Sequence, residues 1–196
     1  PLVCDYWSRE QSKDIYEEGT TFQIGKIEMV ANTGTYIDTP FHRYEDGKDL
    51  SAVSLAELAG LPAIVVKVDE GITCIDASHF ENLNVSGKAV LIHTNWSRHW
   101  GKDAYFQGFP HLNAEAAEHL KVGGAKLVGI DSFNIDDTST GARPVHSILL
   151  RSDILIVEHM TNLELLPNEG FHFYSVPVKI KDMGTFPVRA FAAIET

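Results

Sequence analysis

The chain has 196 residues, 44% hydrophobic and 22% charged, so it can build one domain with a sizeable core and is not disordered throughout. Its 16 basic and 27 acidic side chains give a formal net charge of −11, which disfavours nucleic acid and anionic membranes as partners, although solubility alone also explains the charge. Cys4 and Cys74 form no C-x-x-C pattern, which indicates a reducing cytoplasm rather than a disulfide framework. No apolar run approaches the about 20 residues of a membrane helix, and no leader is visible. The sequence begins at Pro1 rather than at methionine, so a leader or a first strand could be missing.

Strand-like and helix-like stretches alternate along the chain. Strands are predicted at residues 22–31, 63–68, 89–93, 127–130, 154–157, 174–179 and 188–194. Helices are predicted in SLAELAG ending at Gly60, in ASHFENL after Asp76, in AEAAEHLKV after the N-cap Asn113, and at 145–150. Uninterrupted apolar strands such as AVLIH and LVGI favour a sheet covered on both faces. The fold class is therefore α/β, one domain over residues 1–196 with extra strands at both ends.

The stretch NTGTYIDTPFH is the first candidate site. If it runs extended, alternate residues face one way. These are Asn32, Gly34, Tyr36, Asp38, Pro40 and His42. An amide, a phenol, a carboxylate and an imidazole on one face suit Zn²⁺, Mn²⁺ or a similar ion. The alternative is a polar turn in which Asp38 caps the next helix and His42 lies on the surface.

The stretch VHSILLRSDILIVEHMTNL is the second candidate site, with His146 in the predicted helix and Glu158 at the end of a strand. Open α/β sheets place ligand groups at the carboxyl ends of their strands. A carboxylate after four aliphatic residues is either partnered or at an exposed strand end, because burial of an unpaired charge is costly. His159 is expected to be a packing or surface residue, facing away from Glu158.

Aromatic residues crowd the stretch HTNWSRHWGKDAYFQGF. Trp96 and Trp100, together with Phe41, are the candidates for binding a substrate. Packing in the core or between subunits is the alternative. Asp131 follows LVGI and lies either near the pocket or at a turn as a cap.

Both candidate sites together resemble the cyclase family of metal-dependent hydrolases, which includes bacterial kynurenine formamidase (arylformamidase) and isatin hydrolase. The family signature is H-x-G-T-H-x-D-x-P-x-H, and this sequence reads NTGTYIDTPFH. The resemblance continues through LSAVSLAELAG, AVLIHTNWS, LNAEAAEHL, LVGIDSFNID, HSILLRSDILIVEHMTNLELL and FHFYSVPVKIKDMGTFPVRAFA, and covers about residues 25–193. It implies a swivelling β/β/α-type fold, a homodimer or homotetramer, and one or two divalent ions that activate water for hydrolysis of an amide.

The resemblance also assigns roles to individual residues. Asp38, His146 and Glu158 keep the types of the metal ligands, and His42 keeps the type of the general acid and base. This set favours one ion, Mn²⁺ or Zn²⁺, and its oxygen-rich character shifts the preference toward Mn²⁺ and other hard ions.

Two signature histidines are replaced, by Asn32 and Tyr36. Asn32 offers only an amide oxygen as a metal ligand. Tyr36 is a poor ligand while its phenol is protonated, and could instead hydrogen-bond the tetrahedral oxyanion. Two replaced ligands leave a second interpretation open: a non-catalytic relative that keeps the pocket for binding a small molecule or for assembly.

Overall fold

A computed structural model describes residues 1–194 of the chain. In chain order, strands β1 to β12 are Leu2–Trp7, Ile24–Glu28, Tyr36–Asp38, Ala59–Lys67, Cys74–Ile75, Ala89–His93, His111–Leu112, Leu127–Ile130, Leu155–Glu158, Phe171–Tyr174, Thr185–Pro187 and Phe191–Ile194. The helices α1 to α3 are Arg9–Ser12, Ala114–Val122 and Pro144–Arg151.

The centre of the fold is an eight-stranded mixed sheet with the order β11-β3-β9-β8-β6-β4-β10-β12. The four middle strands β9, β8, β6 and β4 are parallel, and the two outer strands on each side are antiparallel to their neighbours. The strands β5 and β7 form a separate short pair. This arrangement confirms the expected α/β class and the extra strands near both ends.

Both faces of the large sheet are covered. On one face, Val90, Val128 and Ile156 pack against α2 and α3. On the other face, Leu91, Leu127 and other aliphatic side chains pack beneath the chain that leads into β4 and follows β9. A sheet buried on both faces explains why its middle strands are continuously apolar in sequence.

Local sequence fixes the two longer helices. Asn113 caps α2 by accepting a hydrogen bond from the backbone N–H of Ala116 at 2.9 Å. Pro144 occupies the first turn of α3, where its missing N–H is tolerated. The strands predicted at 89–93 and 127–130 and the helix predicted after Asn113 are confirmed with their bounds.

Other predicted elements are wrong or shorter than predicted. The strand predicted at 174–179 is wrong: β10 ends at Tyr174, the Ser175 N–H bonds to the carbonyl of Leu58, and Pro177 has no N–H to donate. SLAELAG forms one 3₁₀ turn, Leu55–Glu57, before β4 begins. ASHFENL likewise forms only the turn Ala77–Phe80, followed by Asn82 in the left-handed region at a φ of 66°. The strands predicted at 22–31 and 188–194 shorten to β2 and β12, and the one at 154–157 shifts by one residue to β9.

The strands β1 and β2 form an antiparallel hairpin, the N-terminal arm, that belongs to no other sheet. Except for Trp7, all residues of its two strands are exposed, including the cross-strand pair Val3 and Ile27.

Both cysteines are free and exposed. No helix among residues 1–194 has the length and apolar character to cross a bilayer.

Candidate metal centre

Three elements bring the predicted ligands together. The strand β3 pairs with β9, with Tyr36 opposite Glu158 and Asp38 opposite Ile156. His146 lies in the first turns of α3, the helix that leads into β9. All three side chains are buried, with Asp38 at 0%, His146 at 6% and Glu158 at 0% exposure.

Nε2 of His146 has the separation expected between ligands of one ion from each of the two carboxylates. Nε2 of His146 lies 3.7 Å from Oδ2 of Asp38 and 3.8 Å from Oε1 of Glu158. Ligands of one divalent ion lie roughly 2.0–2.3 Å from it and hence roughly 3–4 Å from one another. Oδ2 of Asp38 is buried and has no hydrogen-bond partner among the described residues. Such an orphaned carboxylate oxygen fits a cation.

Asp136 lies against His146, and the sequence analysis did not single it out. Its carboxylate accepts the backbone N–H groups of Val145 and His146 at 2.8 and 3.0 Å, which caps α3, and its Oδ2 lies 2.6 Å from Nδ1 of His146. A carboxylate on Nδ1 leaves Nε2 as the free ligand atom and fixes the orientation of the ring. Its signal in the sequence was weak, since an aspartate several residues before a helix has many common uses.

Glu158 is held from two sides. Its Oε1 accepts the backbone N–H of Ile135 at 2.7 Å, and its Oε2 accepts a short hydrogen bond from the Tyr36 hydroxyl. Asn32 lies close enough to Tyr36 to act against the rise in the pKa of its phenol. Of the two residues that replace the signature histidines, Tyr36 is therefore the one bonded to Glu158. Tyr36 already gives its one hydroxyl hydrogen to that carboxylate.

His42 reaches the site from a turn and not from a strand. The expectation that residues 32–42 run extended is correct only for β3, because Pro40–His42 form one 3₁₀ turn. Nδ1 of His42 lies 2.7 Å from Oγ1 of Thr185 and 3.7 Å from Oδ1 of Asp38. Single ligand atoms of Asp38, His42 and His146 all lie within 4.8 Å of one another. Among the described residues this is the one group of three such side chains whose ligand atoms lie mutually so close; it includes His42 and not Glu158, so His42 is also a possible ligand by distance.

Thr185, on β11, was also missed by the sequence analysis, because nothing in sequence links it to a residue 147 positions away. Its hydroxyl donates a short hydrogen bond to Oδ1 of Asp38. Because that hydroxyl has one hydrogen, Nδ1–H of His42 must donate to the Thr185 oxygen. Nε2 of His42 is then the unprotonated nitrogen, which suits a base.

Burial and charge act together on the protonation of the cluster. Burial lowers the pKa of His146, but its hydrogen bond to Asp136 and the nearby carboxylates of Asp38 and Glu158 outweigh it and raise that pKa to about 10. Burial raises the pKa of Glu158 to about 7, even though the charge of His146 opposes this shift. Three buried carboxylates around one imidazolium leave an excess of negative charge, which a divalent cation would balance.

A cavity of about 550 Å³ opens beside Tyr36 and Asn32. Its wall includes Trp100, together with Tyr105, Phe106 and Phe133, and binding of a substrate by Trp100 stays a prediction. This volume lies in the range of small-molecule pockets.

Trp96 and Phe41 are placed elsewhere than in this wall. The Trp96 indole N–H donates to the carbonyl of Tyr105 at 3.0 Å, which supports the cavity wall from behind. Phe41 lies on the turn beside His42, and its backbone N–H bonds to Lys48. Binding of a substrate by these two residues stays a prediction.

His159, for which the sequence analysis expected a surface or packing residue facing away from Glu158, lies in the cavity wall. Burial lowers its pKa to about 4, so the ring is neutral at physiological pH. Asp131 is buried at the end of β8 and accepts hydrogen bonds from the backbone N–H and the hydroxyl of Thr94, at 2.9 and 2.6 Å. It therefore fastens the start of the loop that carries Trp100.

The fold and the buried acidic cluster define an α/β protein whose site is suited to a divalent cation. Comparison with known proteins identifies its family: the family model described as "Putative cyclase" matches residues 4–137. The chain belongs to this family, which confirms the resemblance carried by its motifs.

Individual relatives agree with this assignment. The chain is 28% identical to a kynurenine formamidase of Bacillus cereus (strain ATCC 14579) over 185 residues, which cover 94% of this chain and 83% of that protein. It is similar to a solved structure of a potential metal-dependent hydrolase with cyclase activity, with a TM-score of 0.74, 26% identity, and coverage of 85% and 80%. Isatin hydrolase A from Labrenzia aggregata has the same fold, with a TM-score of 0.83 over 98% of this chain and 82% of that one, at 20% identity.

Proposed function

We propose that this protein is a metal-dependent hydrolase that cleaves a C–N bond of an amide or a cyclic amide in a small molecule. One observation carries the proposal: three buried carboxylates surround His146, and Oδ2 of Asp38 among them has no hydrogen-bond partner within the described residues. Burying this many carboxylates carries a large desolvation free energy unless a bound cation compensates their charge.

One ion, Mn²⁺ or Zn²⁺, would be held by Asp38, His146 and Glu158, and the role of Asn32 as a further ligand stays a prediction. Two carboxylates and one imidazole, with open positions left, are a catalytic ligand count. When bound, a divalent ion lowers the pKa of a water molecule and polarises a carbonyl group.

The protein supplies the proton transfer. Nε2 of His42 takes the proton of the attacking water and returns it to the leaving nitrogen, because the bond from Nδ1 to Thr185 keeps Nε2 free. His42 is part-exposed, so a substrate can reach it. The oxyanion role expected for Tyr36 stays a prediction, and it requires the hydroxyl to release Glu158.

The two hydrogen bonds that link Asp38 to Thr185 and Thr185 to His42 lead to a specific prediction. Thr185→Val should lower kcat roughly 10- to 100-fold, since groups that orient ligands and bases have effects of this size. Thr185→Ser keeps the hydroxyl and should retain most of the activity. A valine variant as active as the wild type in steady-state kinetics would exclude a role for these two hydrogen bonds in catalysis.

The aromatic cavity favours an aryl substrate, and the relatives are kynurenine formamidases and isatin hydrolases by name. The direct test is hydrolysis of N-formylkynurenine, formanilide and isatin by protein loaded with Mn²⁺ or Zn²⁺, followed by absorbance. Hydrolysis that is lost in His42→Gln supports the proposal. If metal binds and none of the three is cleaved, the arylformamidase-like assignment fails, and a small-molecule-binding relative becomes the better account.

We also propose a homodimer or homotetramer, supported by the N-terminal arm. An isolated two-stranded hairpin is marginal in water, and this one exposes Val3 at 71% and Ile27 at 64%. A second copy of the chain would cover these side chains.

Light scattering should therefore show an oligomer for the wild type and a smaller species for Val3→Glu/Ile27→Lys, whose opposite charges preserve the cross-strand pairing. Val122→Lys replaces an apolar residue that is 84% exposed on α2 and serves as the matched control. A monomeric wild type at tens of micromolar would exclude the arrangement.

A further inference from the structure

The aromatic cavity contains an imidazole in its wall. The His159 ring centroid lies 5.2 Å from that of Tyr36, 5.6 Å from that of Trp100 and 5.7 Å from that of Phe133. A polar ring among apolar ones is the kind of group that orients a ligand in an otherwise apolar pocket.

The backbone at His159 is in an unusual conformation that puts the ring there. Its φ is 56°, in the left-handed region that is unfavourable for residues with a side chain. Oγ1 of Thr35 donates to the His159 carbonyl at 2.7 Å, and the Met160 N–H donates to the carbonyl of Ile130 at 3.0 Å. These bonds hold the conformation, which ends the strand alternation directly after Glu158. Strain of this kind that is held by its neighbours occurs preferentially at functional sites.

The hydrogen bonding of the His159 ring determines which of its two nitrogens can donate a hydrogen bond to a ligand. Nδ1 of His159 lies 2.8 Å from the hydroxyl of Tyr105, a side chain that is 1% exposed. A buried phenol with this one partner donates its hydrogen, so Nδ1 accepts and Nε2 carries the ring hydrogen. Nε2 has no hydrogen bond within residues 1–194, and the residue is only partly buried.

We propose that His159 is the substrate-positioning residue of this cavity, where its Nε2–H donates a hydrogen bond to a carbonyl oxygen at the edge of a bound aromatic ring. The inference rests on the proposed function, because it takes the cavity as the substrate pocket. The surrounding rings select a flat apolar ligand. The N–H selects an acceptor, and the net charge of −11 favours an uncharged carbonyl over a carboxylate.

The test uses binding rather than turnover, so that it stays informative whether or not the protein hydrolyses amides. The probes are acetophenone and α-methylstyrene, which have nearly the same shape but differ in C=O against C=CH₂. Dissociation constants would be measured by ligand-observed NMR with metal-free protein. The wild type should bind acetophenone roughly three- to tenfold more tightly than α-methylstyrene, as one neutral hydrogen bond provides.

His159→Phe keeps a ring in the wall and should abolish this preference. Tyr105→Phe should weaken the preference by removing the bond that fixes the hydrogen on Nε2, and it provides a second variant if the first one folds poorly. Phe106→Leu changes the wall without touching the imidazole and should weaken both probes equally. Equal binding of the two probes by the wild type, no binding of either, or an unchanged preference in a folded His159→Phe variant would overturn the inference.

Discussion

Replacing His42 by glutamine should lower kcat about 10²–10⁴-fold, the usual contribution of a positioned acid and base. The metal content of the variant should match that of the wild type. The reason is geometric, because Nδ1 of His42 is engaged by Thr185 and the buried donors are Asp38, His146 and Glu158. Steady-state kinetics on metal-loaded protein, with elemental analysis of the same samples, measures both quantities.

This pair of measurements separates two roles for His42. Its ligand atom lies within 4.8 Å of those of Asp38 and His146, so it is close enough to be considered as a ligand. A loss of metal together with activity would make His42 a ligand and contradict its assignment as acid and base. Arg43→Gln, at the exposed neighbouring position, is the matched control and should leave both quantities unchanged.

The affinity for Mn²⁺ should rise with pH. In the metal-free protein His146 stays protonated up to its pKa of about 10, and Glu158 up to its pKa of about 7. Both must be deprotonated to act as ligands. Metal binding therefore releases one proton between pH 7 and pH 10, and up to two protons below pH 7. The association constant should therefore rise roughly tenfold per pH unit from pH 7 to 9, and more steeply below pH 7.

Titration calorimetry in buffers of different ionisation enthalpy measures this proton release directly. Asp136→Asn is the informative variant, because it removes a hydrogen bond that raises the pKa of His146. It should release fewer protons near pH 8 and bind metal roughly 10- to 100-fold more weakly. An affinity for Mn²⁺ that does not change between pH 6 and 9 would contradict the protonated state of the cluster.

The sequence predicted the middle of the fold well and its periphery poorly. The strands β6 and β8 are buried on both faces, so their continuous aliphatic runs mark them without ambiguity. The misplaced strand at 174–179 and the overpredicted helices lie where a proline, a left-handed asparagine or a bond to a distant carbonyl decided the outcome. Such tertiary contacts are not encoded in local periodicity.

The same division applies to the site. Asp38, His146 and Glu158 were predicted from spaced motifs, and the structure brings them together because β3 pairs with β9 and α3 leads into β9. Thr185 could not be assigned, since its contact joins it to a residue 147 positions away, and Asp136 gave only the weak signal of an aspartate several residues before a helix. The place of His159 in the cavity wall could not be predicted, because the alternation of side chains along β9 does not extend past Glu158 to a residue with positive φ.

Bound metal in the protein, and its dependence on Glu158, tests the central claim most directly. Elemental analysis would be done on protein purified without added metal or chelator, and again after incubation with Mn²⁺ or Zn²⁺. We expect close to one ion per chain in the wild type and in Glu164→Gln, which changes an exposed carboxylate, and little in Glu158→Gln, which preserves the side-chain volume. A wild type that takes up no metal under either condition, or a Glu158→Gln variant that retains it fully, would contradict the account of a single catalytic ion at this site.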